Sequence, residues 1–214
     1  METKKRVFNL IIVDESGSMS IIHKQAFSGM NETLQTIRMM QEKYPEQEQR
    51  VTLITFDTSH TKVHYDNKLA KDTKDLNWND YCPCGGTPLY DAIGQSVSKL
   101  NAQVNDDDNV LVTIITDGEE NSSTEWTLKM VRNLIEKLKE RKWTFTLIGT
   151  DNLDVESMAH HFAIDEHMKF SEDAASTIAM FERERKSRIR YNCCVAKEAP
   201  MTKGSFFDED EIEK

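Results

Sequence analysis

Val7-Phe8-Asn9-Leu10-Ile11-Ile12-Val13 runs without a break into Asp14-Glu15-Ser16-Gly17-Ser18-Met19. Seven almost wholly apolar, partly β-branched residues make a strand that is buried on both faces, the signature of a central strand in a parallel sheet. An aspartate at its end, followed by two serines and a glycine, is a different kind of text. It is short, oxygen-rich and able to turn, which suits a loop at the carboxyl end of a strand. In open α/β sheets that end is where ligands bind.

Working outward, Val51–Phe56, Val110–Thr116 and Trp143–Ile148 repeat the pattern of the first strand. Helix-length amphipathic segments separate them, at about Ile21–Lys43, Leu89–Val104 and Thr124–Arg141. In the last, Leu128, Val131, Leu134, Ile135 and Leu138 fall on one helical face. Thr61–Tyr65 alternates and follows the second strand closely, which predicts an antiparallel edge strand. A short helix near Val155–His161, a strand near His167–Phe170 and a helix from about Glu172 to Arg188, capped by Ser171, complete the pattern. Strand and helix alternating without a repeat predict one doubly wound, mostly parallel α/β sheet with one antiparallel edge strand and helices on both faces.

The 214 residues suit one domain over 1–198, with 199–214 expected as a disordered acidic tail ending Asp-Glu-Asp-Glu-Ile-Glu-Lys. The segment Asp66–Gly86 reads as a long polar loop, and loops of that length are commonly functional. A formal net charge of −10 argues against a nucleic-acid partner, since phosphates need cations opposite them. The apolar run after Met1-Glu-Thr-Lys-Lys-Arg is short and lacks a small-residue cleavage pattern, so no signal peptide is expected. No apolar stretch approaches the roughly 20 residues of a membrane helix. Four cysteines in two tight pairs, Cys82/Cys84 and Cys193/Cys194, read as reduced thiols of a cytoplasmic protein.

Three pieces of sequence converge on the carboxyl ends of the strands. One is Asp14-x-Ser16-x-Ser18. The second is Gly85-Gly86-Thr87-Pro88 at the mouth of a helix, and the third is Thr116-Asp117-Gly118 after the fourth strand. Together they offer Asp14, Ser16, Ser18, Thr87 and Asp117. These are hard oxygen ligands, which favour Mg²⁺, with Mn²⁺ or Ca²⁺ as alternatives, over zinc or copper. Two carboxylates among five donors leave a divalent ion with residual charge and room for a carboxylate from outside. Serine and glycine here also suit a helix cap, a role compatible with metal binding. Glu119, Glu120 and Asp91 read as solvated or helix-terminal charges, and His160-His161 as surface residues.

This trio of motifs resembles the metal-ion-dependent adhesion site of von Willebrand factor type A domains, with all five positions filled in the family's order. The resemblance spans about Arg6 to Arg188. The wording Asp-Glu-Ser-Gly-Ser-Met with Gly-Gly-Thr-Pro-Leu-Tyr is more similar to microbial intracellular members than to animal adhesion domains, which implies a bacterial cytoplasmic protein. The resemblance implies hydroxyl contacts to Mg²⁺ from Ser16, Ser18 and Thr87. It implies direct or water-mediated contacts from Asp14 and Asp117, and a partner protein that supplies a Glu or Asp side chain. It also implies that Thr87 and Asp117 can exchange as ligands, with a shift of the final helix as a conceivable consequence.

Other readings are weaker. A phosphoryl-transfer hydrolase of the haloacid dehalogenase type needs a second acid two positions after the first, where this chain has Ser16. Walker, dinucleotide and nucleophile-elbow motifs are absent, so no enzyme is expected. A subunit of a larger chelatase-like or stress/metal-resistance complex shares the same site chemistry and differs only in context. Zinc held by Cys82, Cys84, Cys193 and Cys194 departs from the usual C-x₂-C spacing.

Overall fold

The computed structural model describes residues 4–199, 201 and 203–208. In chain order its regular elements are β1 (Lys5–Asp14), α1 (His23–Lys43), β2 (Gln47–Phe56), β3 (Thr61–Leu69), α2 (Leu89–Asn101), β4 (Asn109–Thr116), α3 (Leu128–Lys139), β5 (Trp143–Thr150), α4 (Val155–Phe162), β6 (Glu166–Phe170) and α5 (Ala174–Lys197). β1 is central because its side chains leave no face for water. Phe8, Leu10 and Ile12 point into a core shared with α2, α3 and α4, while Val7, Ile11 and Val13 point into another beneath α1 and α5. The six strands lie in the order β3-β2-β1-β4-β5-β6. All neighbours are parallel except β2 and β3. This is the expected doubly wound α/β sheet with its antiparallel edge. β1 and β4 are adjacent yet their connections leave in opposite directions, so a crevice opens beyond Asp14 and Thr116, the switch point of the topology.

Three boundaries differ from the sequence reading, each because a tertiary contact outweighs local pattern. The stretch expected as the loop Asp66–Gly86 begins as strand, since β3 continues to Leu69. It then makes two 3-10 turns, Ala70–Asp72 and Trp78–Asp80. It is tied to α1 by Asn31 to Leu76 and Arg38 to Asp75, and Tyr81 is fully buried. α5 is capped by Asp173, whose carboxylate accepts from the Ser176 N–H at 2.9 Å, while Ser171 receives the Ser176 hydroxyl oxygen on its own N–H. The helix also runs to Lys197, carrying Cys193 and Cys194 within it.

The disordered tail expected from residue 199 is corrected over its first part. Phe206 is 0% and Phe207 5% exposed. The buried Glu166 carboxylate accepts the backbone N–H groups of Gly204 (2.6 Å) and Phe206 (2.8 Å). Two adjacent phenylalanines bury enough apolar area to offset the cost of ordering a short segment. The acidic end, 209–214, lies outside the described residues. No described helix is long and apolar enough to cross a membrane.

Candidate metal centre

Asp14 ends β1 and is fully buried. Its Oδ1 accepts the Ser16 N–H at 2.7 Å and its Oδ2 accepts the Thr116 hydroxyl at 2.6 Å, so β4 holds the carboxylate from one side and its own loop from the other. The chain turns immediately after it. There the Ser16 and Ser18 hydroxyl oxygens stand 3.1 Å apart, and Ser18 donates to Asp117 Oδ1 at 2.7 Å. Four of the five expected residues therefore form one continuous polar chain. Ser18 sits at the exposed mouth, and Asp14, Ser16 and Asp117 lie below it.

Thr87 arrives from the second loop and is 2% exposed. Its N–H donates to Asn121 Oδ1 at 2.9 Å, and its carbonyl accepts the Asn121 N–H at 3.1 Å, which locks it to the loop after β4. Gly118 is what lets the three loops close. A Cβ there would stand 2.7 Å from Thr87 Oγ1 and 3.7 Å from Asp14 Oδ2, so the hydroxyl and the carboxylate face the space beside a bare backbone. Gly85 adopts φ 68°, in the left-handed region, and a Cβ on it would strike the Thr58 hydroxyl. Its carbonyl accepts the Gly17 N–H at 3.0 Å, which laces the threonine loop to the serine loop. All five expected residues are thus brought to one place.

The electrostatics are unusual for a folded interior. Among the described residues no cation pairs with Asp14 or Asp117, and Asp117 Oδ2 is buried without a hydrogen-bond partner. Burial raises the Asp14 carboxyl above its ordinary range, against the hydrogen bonds from Thr116 and Ser16. Burial likewise pushes Asp117 up to about 7, opposed by Ser18 and reinforced by the charges of Asp14 and Glu172. An unpartnered carboxylate oxygen, a second buried carboxylate and three hydroxyl oxygens, with no compensating cation, form a donor set that fits a hard divalent ion.

The zinc reading does not fit. Among the described residues no three His, Cys, Asp or Glu side chains gather in a way that could hold a metal. Cys82 and Cys84 lie in the loop that leads to Thr87, whereas Cys194 borders a cleft with Lys5 and Trp143 at the opposite end of the strands. All four are free thiols. The Cys84 thiol donates to Asp57 Oδ2 at 2.9 Å, and that bond to a carboxylate raises its pKa.

Sequence reasoning missed the braces around the site. Glu120, read as a solvated charge, accepts the N–H groups of Tyr90, Ser122 and Ser123. Asp91, in the first turn of α2, accepts those of Thr124, Glu125 and Trp126. Between them they staple the start of α2 to the loop after β4. Tyr81 reaches the Asp14 carbonyl at 2.7 Å, and Glu15 accepts the Cys82 N–H. Nothing in the spacing of these residues announces the bracing, because the partners that join one loop to another lie 30 or more residues away.

A family model of the von Willebrand factor type A domain matches residues 10–183. Solved structures with the same fold include the von Willebrand domain of the type V pili tip protein Mfa5 from Porphyromonas gingivalis. It has TM-score 0.60 and 11% identity, and the match covers 94% of this chain and 98% of that one. The SpRpn10 VWA domain matches with TM-score 0.55 and 14% identity over 84% and 94% of the two chains. Proximal thread matrix protein 1 from the mussel byssus matches with TM-score 0.56 and 14% identity over 83% of this chain, which spans only 44% of that protein. No curated protein matches the sequence.

Proposed function

The chain belongs to the von Willebrand factor type A domain family, and from that premise we propose that it is a metal-dependent protein-binding module that captures an acidic side chain of a partner protein. Domains of this family typically mediate protein–protein interaction. The observation that carries the finer reading is the buried, unpartnered oxygen of Asp117, set among Asp14, Ser16, Ser18 and Thr87 with no cation among the described residues to balance the two acids. Mg²⁺ is the ion of choice, with Mn²⁺ or Ca²⁺ as alternatives. When bound it would supply positive charge left over after two carboxylates, the chemistry that attracts a partner's Glu or Asp. Asp14 and Asp117 provide the charge. Ser16, Ser18 and Thr87 provide neutral oxygens that leave the charge incompletely cancelled, and Ser18 marks the side open to solvent.

The same arrangement supports a binding role without catalysis. The acids at the site are engaged by Ser16, Thr116 and Ser18, and no histidine or lysine shares a hydrogen bond with them to move a proton. The four free thiols suit a cytoplasmic protein. Calorimetry tests the reading. One Mg²⁺ per chain is expected, lost in Asp14→Ala and retained in Cys84→Ser. Tight zinc binding that survives Asp14→Ala but not Cys84→Ser would overturn it, as would hydrolysis of a generic phosphate ester that Asp14→Asn abolishes.

A further inference from the structure

Most large apolar side chains are buried, and among those that stay at the surface Ile21 (65% exposed) and Trp78 (49%) stand on the two segments that lead into and brace the Asp14 loop. Ile21 follows Ser18 within the same 3-10 turn, Gly17–Ile22. Trp78 opens the turn that leads to Tyr81, whose hydroxyl holds the Asp14 carbonyl. A single exposed hydrophobe needs no explanation. Here the indole is also held in position. The His23 ring stacks on it at 4.3 Å, Phe27 meets it edge-on at 5.1 Å, and His23 Nε2 is fixed to the Tyr81 carbonyl at 2.8 Å. An aromatic side chain ordered in advance loses little entropy on contact, the economy seen at binding hot spots.

Charge around the site is divided in the same sense. The loops after β4, β5 and β6 carry Glu119, Asp151 and Glu172, and the last of these is close enough to raise the pKa of Asp117. On the flank with Ile21 and Trp78 lie Lys24, exposed at the start of α1, and Lys62, whose ammonium donates to the Asp80 carbonyl at 2.6 Å. Of the acids on that flank, Asp80 is turned back onto its own turn and accepts the Asn77 N–H at 2.7 Å, and Glu15 is buried and accepts the Cys82 N–H. An acidic segment is therefore repelled on the β4–β6 side and admitted over the apolar one.

We infer that Ile21 and Trp78 form the second half of the capture site, a shelf for an apolar or aromatic side chain lying within a few residues of the partner's metal-seeking carboxylate. This rests on the metal-capture reading above and adds the partner's chemistry: an acidic segment with one large apolar residue beside its key Glu or Asp.

The test is selection from a displayed library of random peptides against the full chain, in Mg²⁺ and in chelator, for wild type and for the double variant Ile21→Ser/Trp78→Ser. Ile21 is exposed and Trp78 packs only against His23 and Phe27, so the double variant should fold cooperatively with a melting temperature lowered by a few degrees, and its unchanged Mg²⁺ affinity serves as the control. Wild type in Mg²⁺ should enrich peptides that pair Asp or Glu with a large apolar residue. The double variant should keep the demand for the acid, lose the apolar preference, and bind the best wild-type peptide about tenfold or more weakly. In wild type that peptide should also shift the Trp78 indole resonance. Acid-rich peptides without apolar preference, or a preference that persists in the double variant, would overturn the shelf and leave the metal reading standing. Selection indifferent to chelator and to acidic residues would overturn the metal reading, and this inference with it.

Discussion

Two of the buried acidic centres in this molecule are built to opposite rules. Beneath α5, Glu184 (1% exposed) receives Arg188 (0% exposed) through Nε at 2.8 Å and Nη2 at 2.5 Å. Two more of the arginine's hydrogens go to Asn9 Oδ1 on β1 and Thr113 Oγ1 on β4, at 2.7 and 2.9 Å. A belt of Gln49, Gln47 and Asn192 continues the network. At the carboxyl ends of those same two strands, Asp14 and Asp117 are buried with no cation paired to them among the described residues. One acid has its counter-charge in the chain, and the others have theirs left out. The first arrangement makes structure. The second is the arrangement on which the proposed capture of a cation from outside rests.

The sharpest way to break this contrast is to remove the internal cation. Arg188→Met strands Glu184 in the interior and should cost about 3–5 kcal/mol in urea unfolding, much of it recovered when Glu184→Met is added. A loss below about 1 kcal/mol would mean the pair is not the anchor described.

At the other centre the corresponding effect is on binding rather than folding. Asp14→Ala should weaken Mg²⁺ affinity by about 100-fold or more, measured by calorimetry, and retained affinity would remove it from the ligand set.

Next in size comes a change of opposite sign. The folded pKa of Asp117 is raised from 3.8 to about 7, so the native state holds a proton that the unfolded state releases. The contribution of Asp117 to metal-free stability should then be most favourable at acid pH, fall as pH rises from about 4 to about 7, and level off above that, and it is isolated as the difference between wild type and Asp117→Asn. Asp117→Asn should stabilise the metal-free protein at pH 8 by about 1–2 kcal/mol, less than the full shift because the site lies near solvent. It should change little at pH 4. Saturating Mg²⁺ should stabilise wild type most at the higher pH by mass action, and a metal-free difference between Asp117→Asn and wild type that does not grow from pH 4 to pH 8 would contradict the account.

Thr87→Ala sharpens the picture within the site. It removes one neutral oxygen and no charge, so Mg²⁺ binding should persist while affinity for an acidic peptide drops about tenfold. Equal peptide affinity in variant and wild type would reduce Thr87 to a turn residue. The smallest effect belongs to Cys84→Ser, expected within about 0.5 kcal/mol in stability.

The legible features were those written in contiguous residues. Runs such as Val7–Val13 and Val110–Thr116 announce strands without a wet face, and their alternation with amphipathic segments yields the doubly wound sheet. The five oxygen-bearing residues were readable because each sits in a short motif at a strand or loop end, and the fold brings all five together. The region 66–86 was less so, because its polar text hides Tyr81, Leu76 and Ala70, which are buried against elements far away in sequence. The segment 203–208 was misread for a like reason. Acids near Phe206 and Phe207 suggest solvent until the Glu166 carboxylate is found accepting the backbone N–H groups of Gly204 and Phe206.

What the sequence determined by itself was the strand order's raw material and the chemistry of the cation site, since period, turn residues and ligand hardness are local properties. Glu184, Arg188 and Asn192, spaced i, i+4, i+8 on a long charged helix, read locally as a solvated stripe. Only the tertiary structure turns that stripe inward, because the partners that make burial tolerable, Asn9 and Thr113, lie 179 and 75 residues from Arg188 in the chain. Whether a buried charge is compensated depends on the sum over its neighbours in space, and no stretch of sequence contains that sum.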